Sequence, residues 1–343
     1  MTKERGKFRY AVVLLGLVVL MLGSIFLSFF LGRYSITPKQ VLLLVREYFS
    51  GIPSGMGRSA YKVFFNIRLP RIVGALWGGA ALTLSGSVYQ ATFRNSMVSP
   101  DILGATAGAG FGAALGLMLD CGNTAVQVSS FGFGLLAVLL TCAIGSAVGS
   151  RRNSALTLVL TGMVMQALFQ ALISLIKYVA DPYSKLPAIT FWLMGSLSSF
   201  TSHSIPLVLP SFLVGALPLF LLRWRINSLF LSDEEALSMG VNVAALRRTI
   251  IVCATLLTST VVSICGTIGW VGLIIPHAAR MLVGPDNRIQ LPVSVLLGGT
   301  YLLLVDDVAR SAMAMEIPIG ILTAMVGAPF FIYLIYRQGK RGQ

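Results

Sequence analysis

The stretch GTIGWVGLIIPHAARMLVGPDNR, residues 266–288, is long, apolar and almost free of charge. It nevertheless contains three residues that disturb helices, Gly269, Gly272 and Pro276, followed by a histidine and an arginine. A helix that only anchors a protein in lipid needs none of these residues. Glycine and proline occur in membrane helices where neighbouring helices pack closely or where the helix lines a cavity. The stretch therefore predicts a transmembrane helix whose middle packs closely or moves.

The composition of the whole chain agrees with a membrane protein. Charged residues make up 11% of the 343 residues and hydrophobic residues 56%, and the mean hydropathy is +0.83. A soluble domain has about 25% charged residues. Charge-free runs long enough to cross about 30 Å of hydrocarbon recur along the chain, and they are continuous rather than alternating with a period of two. The composition predicts an all-α integral membrane protein and excludes a soluble globular domain.

The positions of the basic residues predict the topology. The net charge of +14 lies mostly at the ends of the apolar runs, which is typical of anchoring at membrane interfaces rather than of nucleic-acid binding. Basic residues precede the first run, so we place the N-terminus in the cytoplasm and interpret that run as a retained span rather than a signal peptide. We predict about ten transmembrane helices in one domain, 1–343, with both termini cytoplasmic. The spans lie near residues 10–32, 72–93, 102–119, 124–148, 154–176, 206–222, 249–266, 266–288, 291–309 and 319–336.

The region between the first two spans is unusually basic for an external segment. Thr37 and Pro38 predict the start of a short amphipathic helix on the outer surface. Contact with lipid phosphates and docking of an acidic protein partner both remain possible reasons for the excess of positive charge. The basic residues are Arg33, Lys39, Arg46, Arg58, Lys62, Arg68 and Arg71.

A second informative segment, SDEEALSMGVNV at residues 232–243, lies between two spans on the cytoplasmic side. Ser232 and Glu235 have the spacing of a capping box, and acidic residues fill the first turn of the predicted helix. Gly240 can end that helix. The segment is either an ordinary connector or a rigid lever for a cytoplasmic partner, and we favour the lever.

Polar residues inside the apolar runs have two interpretations each. In the fifth span, Thr161-Gly162 and Gln166 either bond to a neighbouring helix or face a wet cavity. The aromatic segment 191–197 and the serine-rich residues after it form either a gate or re-entrant element, or a simple interfacial helix. Asp306 and Asp307 could carry a proton, but Arg310 is one turn away, which favours a structural ion pair.

The residues needed for common chemistry are missing from the sequence. The four cysteines have no CxxC spacing, the two histidines, His203 and His277, lie far apart, and neither HExxH nor GxSxG occurs. We therefore assign no catalytic, cofactor-binding or metal-binding residue, and an intramembrane enzyme is disfavoured. A stand-alone ion-coupled carrier remains a more distant alternative. The sequence also has no P-loop, so any ATP hydrolysis must take place in another subunit.

Nine sequence words in order along the chain resemble the FecCD-type permeases, the membrane subunits of ATP-driven importers for iron-siderophores, haem and cobalamin. Two departures from the family pattern are Ser96, where a proline is usual, and Trp270, where a phenylalanine is usual. The matching words are RLPR (68–71), SGxxxQ (85–90), RN (94–95), LGATAGAG (103–110), WLMGSL (192–197), EEALSMGV (234–241), GWVGLIIPHAAR (269–280), DDVAR (306–310) and EIPIGILTAMVGAPFF (316–331).

The resemblance implies a type II ABC importer permease fold and a homodimer. It also implies two cytoplasmic ABC ATPase subunits, which bind ATP-Mg, and an extracytoplasmic substrate-binding protein. Such a complex lies in the inner or cell membrane of a bacterium or archaeon and works by alternating access. The implied cargo is a metal chelate, for which ferric siderophore is our first expectation and haem, cobalamin or molybdate are the alternatives.

The resemblance also assigns roles to residues of this sequence. It implies that the segment 232–243 is the coupling helix that contacts the ATPase, and that three external arginines dock the binding protein. The coupling residues are Ser232, Asp233, Glu234, Glu235, Met239 and Gly240, and the docking residues are Arg68, Arg71 and Arg310. Candidate pathway or gate residues are Thr161, Gly162, Gly195, Ser196, Ser198, Ser199, Gly272 and Pro276.

Overall fold

The computed structural model describes residues 2–32, 34, 36–51, 57–148 and 154–341, and Arg33 of the basic segment lies outside them. Within these ranges the regular structure is helical. The helices are α1 Thr2–Ser28, α2 Pro38–Ser50, α3 Arg58–Lys62, α4 Leu69–Thr92, α5 Ala105–Met118, α6 Asn123–Val148, α7 Ser154–Val179, α8 Lys185–Leu193, α9 Ile205–Leu221, α10 Arg223–Ile226, α11 Asp233–Ser238, α12 Val243–Cys265, α13 Val271–Val283, α14 Asn287–Ser311 and α15 Ile319–Arg341. A π-helical turn, Val63–Arg68, joins α3 to α4, and 3-10 turns cover Pro100–Leu103, Ser202–Ser204 and Asn227–Phe230.

Seven helical segments of the described residues are long and apolar enough to cross a membrane. They are α1 from Tyr10, the joined α3–α4 segment, α6, α7, α12, α14 and α15 to Arg337. The helices α9 and α10 form a further pair bent by 62°, and α5 and α13 are shorter apolar helices. These elements coincide in position with the ten predicted spans, and the all-α membrane fold is confirmed. The count of ten spans itself stays a prediction.

Helix α4 lies at the centre of the bundle, with 89% of its apolar window buried. It packs against α12, α13 and α14. Small residues permit these contacts, because a Cβ atom on Gly79 would overlap the carbonyl oxygen of Gly298, and one on Gly86 would overlap the carbonyl oxygen of Gly272. The small residues of α4 therefore let its neighbours pack closely against it.

The glycines at four-residue spacing in α5 form a second close interface, with α6. A Cβ atom on Gly108 would lie 2.5 Å from the carbonyl oxygen of Phe133, and one on Gly116 would lie 3.2 Å from Val126. Small residues on one face of α5 let the two backbones approach each other. These glycines thus serve close packing between α5 and α6.

Helices at the periphery expose apolar faces. Only 17% of the apolar window of α1 and 22% of those of α7 and α15 are buried within the chain. On α1 the exposed side chains Leu15, Val19, Leu22 and Phe26 follow one another at helical spacing. Faces of this size and apolarity must be covered by lipid or by another subunit.

The predicted amphipathic helix is confirmed as α2, and its location on the outer side stays a prediction. Pro38 is its first residue, and the backbone N–H of Thr37 donates to the side-chain oxygen of Gln40 at 2.8 Å. Leu44 is fully buried against Ile36 and Phe64. The apolar face of α2 therefore packs onto the π-helical turn before α4.

The prediction of one continuous spanning helix over residues 266–288 is wrong. Helix α13 has 13 residues, which give about 20 Å of length, less than the hydrocarbon thickness. The break lies at Gly266–Trp270, where Gly266 has φ +70° and Trp270 has φ +71°. Gly266 takes this conformation in close contact with the carbonyl oxygen of Trp192. The helix continues without interruption through Pro276, so the proline is not the site of the break.

The predicted aromatic half-helix is present, but it ends earlier than expected. Helix α8 stops at Leu193, and Gly195 has φ +75°. A Cβ atom on Gly195 would lie 2.5 Å from the carbonyl oxygen of Thr267. The early end of α8 is therefore fixed by contact with the break before α13, which is distant in sequence.

Candidate functional site

The short helix α11 is held in the geometry that its sequence predicts. The hydroxyl of Ser232 accepts a hydrogen bond from the backbone N–H of Glu235 at 3.2 Å. The carboxylate of Glu235 in turn accepts from the backbone N–H and from the hydroxyl of Ser232, both at 2.8 Å. These hydrogen bonds hold the pKa of Glu235 below its ordinary value. Gly240 follows the helix with φ +76°, and the predicted capping box is confirmed.

One side of α11 faces the protein and the other faces solvent. Ala236 is fully buried, and Val241 joins the main hydrophobic core. Leu237 and Met239, by contrast, are 66% and 65% exposed. Two large apolar side chains on an otherwise polar loop segment form a small surface suited to a protein partner. Leu237 was missed in the sequence, although an apolar residue between serine and acidic neighbours on a short capped helix is a usable signal.

Arg94, at the end of α4, is a second residue to which the sequence assigned no role. Its Nε donates to the carbonyl oxygen of Leu229 at 2.5 Å. Its Nη2 donates to the carbonyl oxygen of Leu231 and, at 3.0 Å, to a carboxylate oxygen of Asp233. The guanidinium therefore joins α4 to the chain that leads into α11.

At the start of α4, on the side that we predict to be external, Arg71 forms a buried ion-pair group with two carboxylates. Its Nε donates to both oxygens of Asp306, at 2.9 and 2.8 Å. Its Nη1 donates to both oxygens of Glu316, at 2.9 and 3.0 Å. The group connects α4, α14 and the turn before α15, and we call Arg71, Asp306, Glu316, Asp307 and Arg310 the outer ion-pair cluster.

Arg310 completes this cluster from one turn further along α14. Its Nη2 lies 2.5 Å from Asp307 and donates to the carbonyl oxygen of Ser28, at the end of α1, at 2.6 Å. The hydroxyl of Ser28 also donates to Asp307 at 2.7 Å. The interpretation of the two aspartates as structural partners of an arginine is confirmed.

The three arginines that the resemblance assigned to docking are buried, which corrects the expectation that they are available to a partner protein. Arg68, Arg71 and Arg310 are 3%, 5% and 8% exposed, and the guanidinium of Arg68 donates to the carbonyl oxygens of Phe29 and Tyr34. A guanidinium in this position cannot touch another protein without leaving its present partners. Direct docking in this conformation is therefore not supported, and a role in docking stays a prediction.

Three helix breaks meet near Gly195, and Ser196 lies among them. The backbone N–H groups of Ile319 and Gly320 donate to the carbonyl oxygens of Gly195 and Met194, at 3.0 and 3.1 Å. The N–H of Ser196 donates to the carbonyl oxygen of Cys265 at 2.8 Å. The end of α8, the break before α13 and the start of α15 thus share backbone hydrogen bonds, and we call this group the three-break junction.

The two serines that follow lie at the edge of this junction. Ser198 and Ser199 are exposed, and the hydroxyl of Ser199 donates to the carbonyl oxygen of Ile264 at 2.9 Å. The hydroxyl of Ser196 donates to that of Ser198 at 2.9 Å. These hydroxyls give the junction a polar edge that solvent can reach.

The remaining gate candidates serve helix packing in this conformation. A Cβ atom on Gly162 would overlap the carbonyl oxygen of Ile102, and one on Gly272 would lie 2.7 Å from the carbonyl oxygen of Leu82. Pro276 is buried, and Thr161 is half-buried. The sequence assigned the Thr161-Gly162 region and the Ser196–Ser199 region to separate inner and outer constrictions, and a gate role for these residues stays a prediction.

A buried amide network joins the central helix α4 to α13. Gln90 donates from Nε2 to the carbonyl oxygens of Val98 and Leu273, at 3.2 and 3.1 Å, and its Oε1 accepts from Arg280. On the other side of α13, Gln290 donates to the carbonyl oxygen of Pro276 at 3.2 Å. In the low dielectric of a helical bundle such bonds fix one arrangement of helices.

The structure is a helical bundle with membrane-spanning helices and a capped, exposed helix in a loop between two of them, and comparisons with known proteins identify its class. The model of the FecCD transport family matches residues 19–337, so this chain belongs to that family of ABC importer permeases.

Relatives and a solved structure agree with this assignment. The chain is 41% identical over 335 residues to the molybdate import system permease protein MolB of Haemophilus influenzae, with 97% of each chain covered. It is 40% identical to a protein of Helicobacter pylori described as an iron chelatin transport system permease, with 95% of this chain and 96% of that protein covered. A solved structure, described as an inward-facing conformation of a metal-chelate type ABC transporter, has a TM-score of 0.85 at 40% identity and covers 95% of this chain and 99% of its own.

Proposed function

We propose that this chain is the membrane-spanning subunit of an ABC importer that moves a metal chelate, in the first place a ferric siderophore, into the cytoplasm. The observation that carries the proposal is α11, which is short, rigidly capped and exposes two large apolar side chains in a loop between spans. A separate ATPase can move such a helix as a rigid lever because its fold does not depend on the partner. The family assignment supports the same reading.

The complex that the proposal requires has several members. Two copies of the chain form a homodimer that covers part of the apolar faces of α7 and α15. Two cytoplasmic ABC ATPase subunits bind ATP-Mg, and an extracytoplasmic binding protein delivers the cargo. The complex lies in the inner or cell membrane, with both termini of this chain in the cytoplasm, in accord with the basic residues before α1 and at the end of α15.

Each coupling residue has a distinct role in this proposal. Ser232 and Glu235 hold the capping box, while Asp233 and Glu234 place negative charge at the positive end of the helix dipole. Met239 and its apolar neighbour Leu237 contact the ATPase, and Gly240 lets the chain turn away from it. The rigid capped turn transmits displacement, and the apolar pair supplies the contact.

Alternating access requires parts of the bundle to move relative to one another. The three-break junction is our candidate for the outer constriction, because three helix ends meet there and are joined by backbone hydrogen bonds. The residues Gly195, Ser196, Ser198 and Ser199 belong to this junction.

Docking of the binding protein takes place on the same outer side. Arg68, Arg71 and Arg310 would take part in docking only after exchanging their present carboxylates and carbonyls for those of the partner.

Molybdate is the second candidate cargo, and the relative with 41% identity favours it. A siderophore complex is large and mostly organic, whereas molybdate is a small oxyanion, so one uptake assay separates the two. Proteoliposomes containing the chain, its cognate ATPase and its cognate binding protein are supplied with ferric siderophores, haem, cobalamin or molybdate. Accumulated iron, cobalt or molybdenum is then measured by mass spectrometry.

The expected result is ATP-dependent accumulation of one cargo class, iron from a siderophore in the first place. ATP-dependent accumulation of molybdenum alone would transfer the proposal to molybdate. Accumulation driven by an ion gradient without the ATPase would support the ion-coupled carrier and reject the importer. A matched variant, Leu237→Asp, should release the ATPase from detergent-solubilised complex, whereas Leu231→Asp, outside α11, should retain it.

A further inference from the structure

The backbone at the end of α4 adopts a conformation that favours glycine but carries an arginine. The N–H of Asn95 donates to the carbonyl oxygen of Gln90 at 3.1 Å, and the N–H of Arg94 donates to that of Ala91 at 3.3 Å. Arg94 has φ +50°, the left-handed region that commonly ends helices at glycine. A residue with a Cβ atom is strained there, and strain of this kind persists where the side chain or the backbone has a task.

The contacts of the side chain identify that task. The guanidinium bonds to the carbonyl oxygens of Leu229 and Leu231 and to the carboxylate of Asp233, the first residue of α11. One planar group with several donors can hold two carbonyls and a carboxylate at once, which a lysine cannot do. The chain entering α11 is therefore fastened to the end of α4 at three points.

The same end of α4 is fastened to α13. Gln90 lies one turn before Arg94 and bonds to the carbonyl oxygen of Leu273 and to Arg280. Gly86, one turn earlier still, is in backbone contact with Gly272. An unbroken series of direct contacts thus runs from the start of α11, through the last two turns of α4, to the short helix α13 that begins near the three-break junction.

We propose that Arg94 is a positioning residue that makes α11 and the α4–α13 pair move as one body when the ATPase displaces α11. The proposal rests on the function proposed for α11 and adds the route by which its motion reaches the transport pathway. The net energy of the contact is small, because the Arg94 and Asp233 side chains are 43% and 55% exposed. The contacts of the Arg94 guanidinium, which we call the Arg94 clamp, hold two helices in a fixed geometry. Their loss therefore alters the transmission of motion rather than the stability of the bundle.

The decisive variant is Arg94→Gly, which removes the clamp and at the same time suits the left-handed backbone. The measurement is the number of cargo molecules accumulated per ATP hydrolysed in proteoliposomes of the complete complex, with whichever cargo of the panel the wild-type complex accumulates. Arg94→Gly should lower this ratio by about fivefold or more, with an unchanged melting temperature and an unchanged amount of bound ATPase. Arg94→Lys, which keeps the charge, should recover part of the ratio, and Arg223→Ala, at an exposed arginine of α10, serves as the control.

Each outcome decides the proposal. A wild-type ratio in Arg94→Gly would overturn it. If that variant does not assemble, Arg94→Gln is used instead, because it leaves a side chain on the left-handed backbone as in the wild type but removes the charge and the several donors of the guanidinium. A wild-type ratio in Arg94→Gln would overturn the proposal equally. Failure of the function proposed for α11 is seen separately, because ATP-dependent accumulation would then persist at the wild-type rate in Leu237→Asp.

Discussion

Arginines fasten this protein at both ends of the bundle, but the two sites differ in burial. In the outer ion-pair cluster, Arg71 and Arg310 are almost inaccessible, and Asp306 is 1% exposed. At the inner end, Arg94 and Asp233 are about half exposed. The chemistry is the same, guanidinium against carboxylate and carbonyl, whereas the dielectric surroundings differ. Burial therefore decides which site fixes the fold and which can transmit motion.

The energetics follow from this difference. A buried charge that loses its partner is left uncompensated, which costs about 3–5 kcal/mol. The two charges of an exposed ion pair are solvated whether or not the pair is formed, so the pair contributes about 0–1 kcal/mol to stability. The outer cluster joins α1, α4, α14 and the start of α15, so it sets the relative positions of these elements. The inner contact can be broken at little cost in stability.

The largest expected effect comes from breaking the outer cluster. Arg71→Ala removes the guanidinium whose Nε donates to both oxygens of the buried Asp306 and should lower the free energy of unfolding by about 3–5 kcal/mol. The check is denaturant or thermal unfolding of the purified chain in detergent. Glu316→Gln is the matched control, because Glu316 is 38% exposed and water can replace the lost charge interaction. Equal stability of Arg71→Ala and wild type would contradict the assigned role of the cluster.

A smaller loss is expected from overfilling the contact between α4 and α13. A methyl group on Gly86 would collide with the carbonyl oxygen of Gly272, and backbone shifts of that kind cost about 1–3 kcal/mol. Gly86→Ala should therefore lower the melting temperature and the uptake rate together. Gly132→Ala on α6 is the control, since no atom lies within 4 Å of its added Cβ atom. If both variants behave like wild type, close approach of α4 and α13 is not required.

The inner contact should contribute little to stability. Arg94→Ala and Asp233→Ala should each change the free energy of unfolding by less than about 1 kcal/mol, since both side chains are substantially solvated. A double-mutant cycle on the same unfolding assay gives the pairwise term. A coupling energy between Arg94 and Asp233 as large as that between Arg71 and Asp306 would contradict the energetic difference between the two ends of the bundle.

The smallest effect concerns the capping box of α11 and depends on pH. Because hydrogen bonds from Ser232 lower the pKa of Glu235 in the folded protein, the ionised carboxylate stabilises the helix above the ordinary glutamate pKa. That contribution is lost as the pH falls through the lowered pKa. Hydrogen-exchange protection of residues 233–239, corrected for intrinsic exchange rates, should therefore decline in acid. Glu235→Gln should show a flat profile, and identical profiles for the two proteins would contradict the prediction.

Much of the fold could be predicted from local patterns. Charge-free runs locate the spans because each run must satisfy its backbone hydrogen bonds within a helix. The capping box of α11 needs only Ser232 and Glu235, which are three residues apart. The small-residue seams on α4 and α5 could be predicted because close packing of helices requires small side chains.

The remaining features depend on contacts between residues far apart in the chain. Nothing local in residues 266–270 shows that Trp270 adopts a positive φ, since the break is set where Gly266 meets Trp192 and Gly195. The basic excess before α4 is visible in the sequence, but the partner of Arg71 lies 235 residues away, on α14. Arg94 was missed because its left-handed backbone has no sequence signal when the residue is not glycine.

The central claim is that this chain conducts cargo while a separate ATPase drives it through α11. The most direct measurement is ATP hydrolysis by the complete complex in proteoliposomes, with and without cargo-loaded binding protein, for the wild-type chain and for Leu237→Asp. The account predicts that one loaded binding protein stimulates hydrolysis in the wild-type complex, and that Leu237→Asp abolishes both stimulation and uptake. Stimulation and uptake that persist at wild-type rates in Leu237→Asp would contradict it.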